Sequence, residues 1–240
     1  LGDVYKRQIV SGLISGLLVV TIPRLAMLIG KRRVKEYSHV LQEVINSVSI
    51  LGLPAAVGLV MLSKEVILII AGKKYLDGTL SLQIITWALI FSNYSTIFNQ
   101  CVLIPLKRES KTLRNTVITG LVNVGLNFIF IPLWSYDGTA LSTVIAEFMV
   151  MVMNGWSARD YVGPILKSKR TFKSILDSIV GCLGIAMVCV LLKLGISSLI
   201  LRTVLSIGLS VIMYGAILVF LKNKIALEYL NKVIDRMRKK

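Results

Sequence analysis

Long apolar runs alternate with short clusters of charged and polar residues along almost the whole chain. Seven runs have the length, about 20 residues, that a helix needs to cross the hydrocarbon core of a bilayer. They are 9–29, 40–62, 80–104, 113–133, 139–158, 174–192 and 196–221. The apolar segment 66–71 is too short to cross, so we predict a surface-lying turn of helix that ends at Gly72. The pattern predicts an all-α, polytopic transmembrane helical bundle of about seven spans.

Two neighbouring runs, 113–133 and 139–158, carry polar residues at steps of three or four, the spacing of one helical face. Pro132 and the pair Asp137 and Gly138 predict a tight turn between them. The polar positions are Thr112, Thr116, Thr119, Asn123 and Asn127 on the first helix and Thr139, Thr143, Glu147 and Asn154 on the second. Because polar groups in hydrocarbon need hydrogen-bond partners, we expect both faces to turn towards other helices or a hydrated cavity.

Asn123, Asn127 and Glu147 are the main candidates within these two faces. Two interpretations of the asparagines stay open: hydrogen bonds that join helices, or the lining of a hydrated cavity. A charged residue at mid-span costs about 2.5–3.5 kcal/mol on insertion scales and is rare without a task. For Glu147 this favours a functional role.

Three further polar residues are candidates for a cavity. Asn93 and Gln100 belong to a third polar face, in the run 80–104. Arg24 follows Pro23 in the last third of the first run. Its side chain either extends to the membrane interface or directs its charge inward.

Composition sets the environment of these helices. Hydrophobic residues make up 55% of the chain and charged residues 17%, with a net charge of +16, and the mean hydropathy is +0.77. A soluble domain of this length is far less apolar, so an integral membrane protein is predicted. The basic residues form short clusters between apolar runs, which is typical of loops at a membrane surface and disfavours nucleic-acid binding.

The distribution of basic residues also predicts the orientation. With seven alternating spans, the loops and tail on one side hold 20 Lys and Arg, and those on the other side hold five. The positive-inside bias places the basic side, and with it the C-terminus, in the cytoplasm. We therefore expect a multi-pass protein of the cytoplasmic membrane, in contact with its lipids.

The ends of the sequence and its cysteines add three expectations. Residues 1–8 have no initiator Met and no signal-peptide layout, so we expect a non-native scar on a chain that lacks its N-terminal part. The basic tail 222–240 predicts either an amphipathic helix on the inner leaflet or a solvated polybasic segment. The three cysteines lie inside apolar runs without metal-ligand spacing, so no metal site is predicted.

Two stretches of the sequence resemble a known transporter family. They are GLPAAVGLVMLSKEVILIIAGKKY, residues 52–75, and GLVNVGLNFIFIPLWSYDGTALSTVIAE, residues 120–147. Both are similar to the C-terminal half of the polysaccharide flippases of the multidrug/oligosaccharidyl-lipid/polysaccharide (MOP) superfamily, which transport O-antigen and capsule repeat units. The similarity extends over about 9–160. Its most specific part is the order and spacing of Asn123, Asn127, Pro132, Gly138, Thr143 and Glu147.

The resemblance implies half of a MATE-like transporter with two lobes and 12 to 14 spans. Residues 9–158 would supply five helices of the C-terminal lobe, 159–221 two additional helices, and 222–240 a cytoplasmic tail. The missing N-terminal lobe would be their partner. Asp137-Gly138-Thr139-Ala140 departs from the Gly-Ala that this family has after the turn.

The implied activity is the flipping of a polyprenyl-pyrophosphate-linked oligosaccharide by alternating access, without a cofactor. Arg24 would pair with the pyrophosphate, and the polar faces with Asn93, Gln100, Asn123 and Asn127 would line the cavity for the glycan. Glu147 would exchange H⁺ or bind Na⁺ to couple transport to an ion gradient.

Four alternatives remain open for the same residues. A drug or cation exporter and a peptidoglycan-precursor flippase of the same superfamily share the implied fold. A membrane glycosyl polymerase or glycosyltransferase is disfavoured, because the outer loops are short and carry only the carboxylates Glu65, Asp77 and Asp137. A purely structural subunit would leave Glu147 without an explanation.

Overall fold

A computed structural model describes residues 21–228 of the chain. The expected scar at 1–8, the first part of the run 9–29 and residues 229–240 of the basic tail lie outside the described residues. The expectations for those segments therefore stay predictions.

Helices account for nearly all of the described residues, and none of these residues lies in a strand. The α-helices are α1 (Thr21–Gly30), α2 (Val34–Met61), α3 (Ser63–Ile70), α4 (Thr79–Thr96), α5 (Glu109–Ser157), α6 (Arg159–Leu166), α7 (Lys169–Gly195) and α8 (Leu199–Phe220). Within 21–228, the four helices α2, α5, α7 and α8 are long and apolar enough to cross a membrane. The all-α helical membrane bundle predicted from the sequence is confirmed.

Helix α2 is the centre of the packing. Its first half, with Leu41 and Ile45 fully buried, shares one hydrophobic cluster with α1, α6 and the segment after α4. Its second half, from Ile50 onwards, shares another cluster with α7 and α8. In the most apolar 18-residue segment of α2, 44% of the residues are buried, whereas the corresponding share in α5 is only 6%. Helix α5 therefore lies at the edge of the described part, with most of its surface open.

Helix α5 is a hairpin of two arms rather than one straight rod. Ser135, at φ 51° and ψ −123°, interrupts it and separates an N-terminal arm, 109–134, from a C-terminal arm, 136–157. The arms are antiparallel, because Asn115 bonds to Asn154 and Asn127 bonds to Ser142 across the hairpin. These two arms correspond to the predicted pair of helices at 113–133 and 139–158.

The hairpin turn lies where the sequence predicts it, between the runs 113–133 and 139–158, because the interruption at Ser135 falls between Pro132 and Asp137. Pro132 lies inside the N-terminal arm, and Gly138 already belongs to the C-terminal arm. A Cβ on Gly138 would stand 2.2 Å from the carbonyl oxygen of Phe130, so this glycine allows the two arms to meet. The left-handed backbone conformation at the turn falls on Ser135 instead, although it is uncommon outside glycine.

The predicted third span, 80–104, is helical but changes type along its length. Helix α4 ends at Thr96 and continues as a π-helix over Ile97–Leu103. The carbonyl of Cys101 in this segment accepts a hydrogen bond of 2.7 Å from the Tyr37 hydroxyl of α2. A π-helical turn is wider than an α-helical turn, so regular α-helical spacing does not determine the face on which Gln100 lies. Between α3 and α4 the surface-lying segment adds a 3₁₀ turn, Lys73–Gly78.

The loops lie at two opposite ends of the bundle. At one end Arg108 bonds to Asp160, and Gln42 bonds to Ser168 and Thr171 at the start of α7. The basic clusters after α1, before α5 and around α6 all lie at this end, which is what alternating spans require. The opposite end holds the hairpin turn, α3 and the connection between α7 and α8. We call these the basic end and the opposite end.

Candidate functional site

At the base of the α5 hairpin, near the basic end, a buried polar network joins the two arms to α4. The Asn115 amide donates to the side-chain oxygen of Asn154 at 2.9 Å and to the Ser157 hydroxyl at 3.2 Å. The Asn154 amide in turn donates to the Ser95 hydroxyl of α4 at 3.0 Å. Asn115 is 0% exposed and Asn154 2%. These residues are interhelical hydrogen-bond partners, the structural interpretation of the polar face.

Further along the hairpin a second polar group is more open. The Asn127 amide donates to the Asn123 side-chain oxygen at 2.8 Å, and the Ser142 hydroxyl donates to the Asn127 side-chain oxygen at 2.7 Å. The Thr143 hydroxyl donates to the backbone carbonyl of Thr139 at 2.8 Å. Asn123 and Asn127 are half-buried. Their hydrogen bonds hold the arms together, and part of each side chain stays accessible.

The other candidates do not come together in one cluster within the described residues. Arg24 is exposed on α1, Asn93 and Gln100 are half-buried on α4 and the π-helix, and Glu147 is half-buried on the C-terminal arm. Four pockets of the described part are lined by other residues. The role of each candidate stays a prediction.

Two residues of the hairpin network were missed in the sequence. Asn115 precedes Thr119, Asn123 and Asn127 at steps of four, so an unbroken i, i+4 series would have revealed it. Ser142 lies three residues after Thr139 and carries the bond across the hairpin. Its small hydroxyl gave no signal among the other Ser and Thr residues of the span.

A third polar group lies at the opposite end of the bundle and was also missed. Glu65 of α3 is 2% exposed, and its Oε1 lies 3.1 Å from Arg202 Nη2 and 3.6 Å from Lys193 Nζ. Lys193 also donates to the Met61 carbonyl at 2.6 Å. The sequence predicted Glu65 to be an outer-loop carboxylate. Instead it fastens α3 to the ends of α7 and α8.

Above α4 at that end, a cavity of about 670 Å³ separates α3 from the hairpin turn. Its polar lining includes Lys74, Asp77, Tyr136 and Thr143. Ser81 of α4 donates a hydrogen bond to Asp137 beside the turn. These contacts position the hairpin turn against α4. Within 21–228, no three His, Cys, Asp or Glu residues are grouped as metal ligands.

Comparison with known proteins identifies the family. The family model described as "Lipid II flippase MurJ" matches residues 8–214. A solved structure titled "Lipid II flippase MurJ, inward closed conformation" has a TM-score of 0.63 and 19% sequence identity. The alignment covers 90% of this chain and 47% of that one, so the chain spans about half the length of the structure it matches. At this identity the likeness shows the fold alone. No curated protein sequence matches the chain.

These findings refine the resemblance seen in the sequence. The flippase group of the MOP superfamily is confirmed, and a multi-pass membrane protein with it. Within that group the match favours the peptidoglycan-precursor alternative over the O-antigen and capsule flippases. Because the family model extends over most of the sequence, the chain belongs to the lipid II flippase MurJ family.

Proposed function

We propose that this chain is the C-terminal part of a transporter that flips lipid II, a polyprenyl-pyrophosphate-linked peptidoglycan precursor, across the cytoplasmic membrane by alternating access. The observation that carries the proposal is the half-buried polar face of the α5 hairpin in a chain of this family. The other lobe would come from sequence outside this chain, and the basic end would face the cytoplasm.

The surface of the N-terminal arm suits such a substrate, whose tail is apolar and whose headgroup is polar. One side of this arm exposes large apolar side chains: Leu113 67%, Val117 51%, Leu121 68% and Phe128 78%. Asn123 lies two residues from Leu121, about 200° around a helix, and therefore on the other side. In the proposal the apolar side faces lipid and the polar side faces the hydrated path of the headgroup.

The remaining candidates receive roles within the same proposal. Arg24, exposed on α1, would pair with the pyrophosphate where α1 meets the other lobe. Asn93 and Gln100 would contribute hydrogen bonds to the headgroup. Glu147 would take up H⁺ or Na⁺ once per cycle, which requires that its carboxylate reach water in one of the two states. No further cofactor is part of the proposal.

Substrate choice tests the proposal. The complete transporter, with both lobes, is reconstituted in liposomes, and movement of fluorescent lipid II between leaflets is followed by an impermeant quencher. A second preparation carries an O-antigen repeat unit on the same polyprenyl pyrophosphate. We expect lipid II to move at least tenfold faster. Movement of the O-antigen lipid alone would reject lipid II as the substrate and restore the O-antigen interpretation.

Ion coupling is tested in the same liposomes. Glu147→Gln keeps the size and polarity of the side chain and removes its charge and its exchangeable carboxyl proton. We expect transport driven by an ion gradient to fall at least tenfold in this variant, with Glu109→Gln, at the exposed start of α5, as the matched control. Full gradient-driven transport by Glu147→Gln would rule out a coupling role for Glu147.

A further inference from the structure

A pocket of about 460 Å³ opens at the base of the α5 hairpin, at the basic end of the bundle. Four cationic side chains line it, together with one carboxylate, one hydroxyl residue and one indole. The lining residues are Arg108, Lys111, Arg114, Trp156, Ser157, Arg159 and Asp160. Four positive charges and one negative charge therefore surround a space large enough for a small anion.

One of the four cations is already used within the protein. Arg108 donates from Nη2 to Asp160 Oδ2 at 2.5 Å and from Nη1 to the Ser157 carbonyl at 3.1 Å. The hydrogen bond from Arg108 lowers the pKa of the Asp160 carboxyl, so this carboxylate is ionised at neutral pH. In the described part of the chain it is the pocket's only ion pair. Arg108 fixes the connection between α5 and α6 and leaves three cations for a ligand.

The other three cations line the pocket and form no ion pair within the described residues. The Arg159 guanidinium lies 4.7 Å from the ring centre of Trp156, and Arg114 donates to the Asn115 side-chain oxygen at 3.2 Å. Lys111 is exposed, one helical turn after Arg108. A planar guanidinium next to a flexible ammonium is the combination that binds phosphate oxygens in proteins.

An apolar strip begins directly beside the pocket. Trp156, Val152 and Phe148 follow one another at steps of four on the C-terminal arm and are 69%, 48% and 49% exposed. An exposed indole at the end of a transmembrane helix is typical of the headgroup level of a bilayer. An acyl chain that runs along this strip would place its headgroup at the three cations.

We propose that this pocket binds an anionic phosphate group, with the phosphodiester of an inner-leaflet lipid as the source that the apolar strip favours. Soluble phosphate has the same chemistry and is the other source. Basic pockets at the cytoplasmic ends of membrane helices hold anionic headgroups because they contain more cations than carboxylates, as here, where only Arg108 forms an ion pair within the described residues. The inference is independent of the transported substrate.

The retention of bound lipid by the purified protein tests whether the pocket binds an anionic headgroup. The complete transporter in detergent is incubated with phosphatidylglycerol or phosphatidylcholine, and bound lipid is counted by native mass spectrometry. The test variant is Lys111→Ala/Arg114→Ala/Arg159→Ala, and Arg108 is kept because it holds Asp160. The matched control, Lys31→Ala/Lys169→Ala/Lys173→Ala, removes the same charge from exposed residues of the basic end outside the pocket. The double variant Lys111→Ala/Arg159→Ala leaves the bond to Asn115 intact in case the triple variant does not fold.

We expect the wild type and the control to bind phosphatidylglycerol about tenfold or more tightly than the triple variant, with no difference for phosphatidylcholine. Millimolar inorganic phosphate is added as a competitor. Retention of the lipid in its presence supports the lipid source, and displacement supports soluble phosphate at the same site. Equal binding by the wild type and the two pocket variants, or an equal loss in the control, would overturn the proposal.

Discussion

At the scale of residues, the asparagines of the hairpin form two groups, one fully buried and one half-buried. Asn115 and Asn154 are buried beside Ser95 of α4, whereas Asn123 and Asn127 are half-buried and, among the described residues, bond within the hairpin. The i, i+4 spacing predicts that such residues share a face, and it did so for Asn123 and Asn127. It cannot predict which part of the face another helix covers, because that depends on contacts from distant parts of the chain.

Removal of Asn154 tests the buried part of the network. Asn154→Ala takes away one acceptor and one donor and leaves Asn115 and Ser95 without these partners. We expect the free energy of unfolding in mixed micelles to fall by about 1–2 kcal/mol. Asn123→Ala, which loses one half-buried bond, should cost about 0.5 kcal/mol. Equal losses of stability in the two variants would mean that the buried asparagines contribute no more to stability than the half-buried ones.

The carboxylate of Glu65 gives a second prediction at this scale. Glu65→Ala leaves Arg202 and Lys193, with side chains 20% and 35% exposed, facing each other without a counter-charge. Breaking a buried ion pair from one side costs about 3 kcal/mol, so we expect a loss of stability of that order in the same unfolding assay.

The control for Glu65 is an ion pair at the surface. Glu36 pairs with Arg33 at 2.5 Å, and both side chains are about half exposed. Glu36→Ala should cost less than about 0.5 kcal/mol. A loss in Glu65→Ala no larger than this would mean that Glu65 does not fasten α3 to α7 and α8.

At the scale of elements, apolar run length predicts the positions of the helices well, but it does not predict local backbone changes such as the π-helix after α4. The run 40–62 corresponds to α2 at Val34–Met61, and the run 174–192 to α7 at Lys169–Gly195. Hydrophobicity marks the bilayer core, and the helices extend past it into the polar loops. The hairpin turn lies in the predicted interval, but the sequence did not show that the positive φ falls on Ser135 while Gly138 serves the close approach of the arms.

Gly138 tests the closure of the hairpin. In Gly138→Ala the new Cβ would collide with the Phe130 carbonyl, a backbone atom that cannot rotate away. We expect a loss of at least about 2 kcal/mol in the free energy of unfolding, because the two arms must separate. Gly125→Ala, at a position with no atom within 4 Å of the added Cβ, should leave stability unchanged or raise it by up to about 1 kcal/mol. Similar stability of the two variants would argue against close contact at Gly138.

At the scale of the whole molecule, two observations concern what surrounds α5 in the membrane: its exposed surface and the share of the matched structure that the chain covers. Only 6% of the most apolar 18-residue segment of α5 is buried. The chain covers 47% of the solved flippase that it matches. In the proposed transporter, a second lobe and lipid would cover this surface. Composition and basic-loop spacing were enough to predict a membrane bundle, and the two quoted stretches were enough for its superfamily. They were not enough to separate the lipid II flippase family from the polysaccharide flippases, because the family match extends over residues 8–214 and does not depend on one short motif.

The central claim, that the polar side of the N-terminal arm faces a hydrated path, is tested most directly by cysteine accessibility in the complete transporter. Asn123→Cys and Leu121→Cys lie at nearly the same depth on opposite sides of one helix. Background labelling is low, because Cys101, Cys182 and Cys189 are buried. We predict that a membrane-impermeant thiol reagent modifies Asn123→Cys at least tenfold faster than Leu121→Cys, and that lipid II slows this reaction. Faster labelling of Leu121→Cys, or no labelling of Asn123→Cys, would contradict the account.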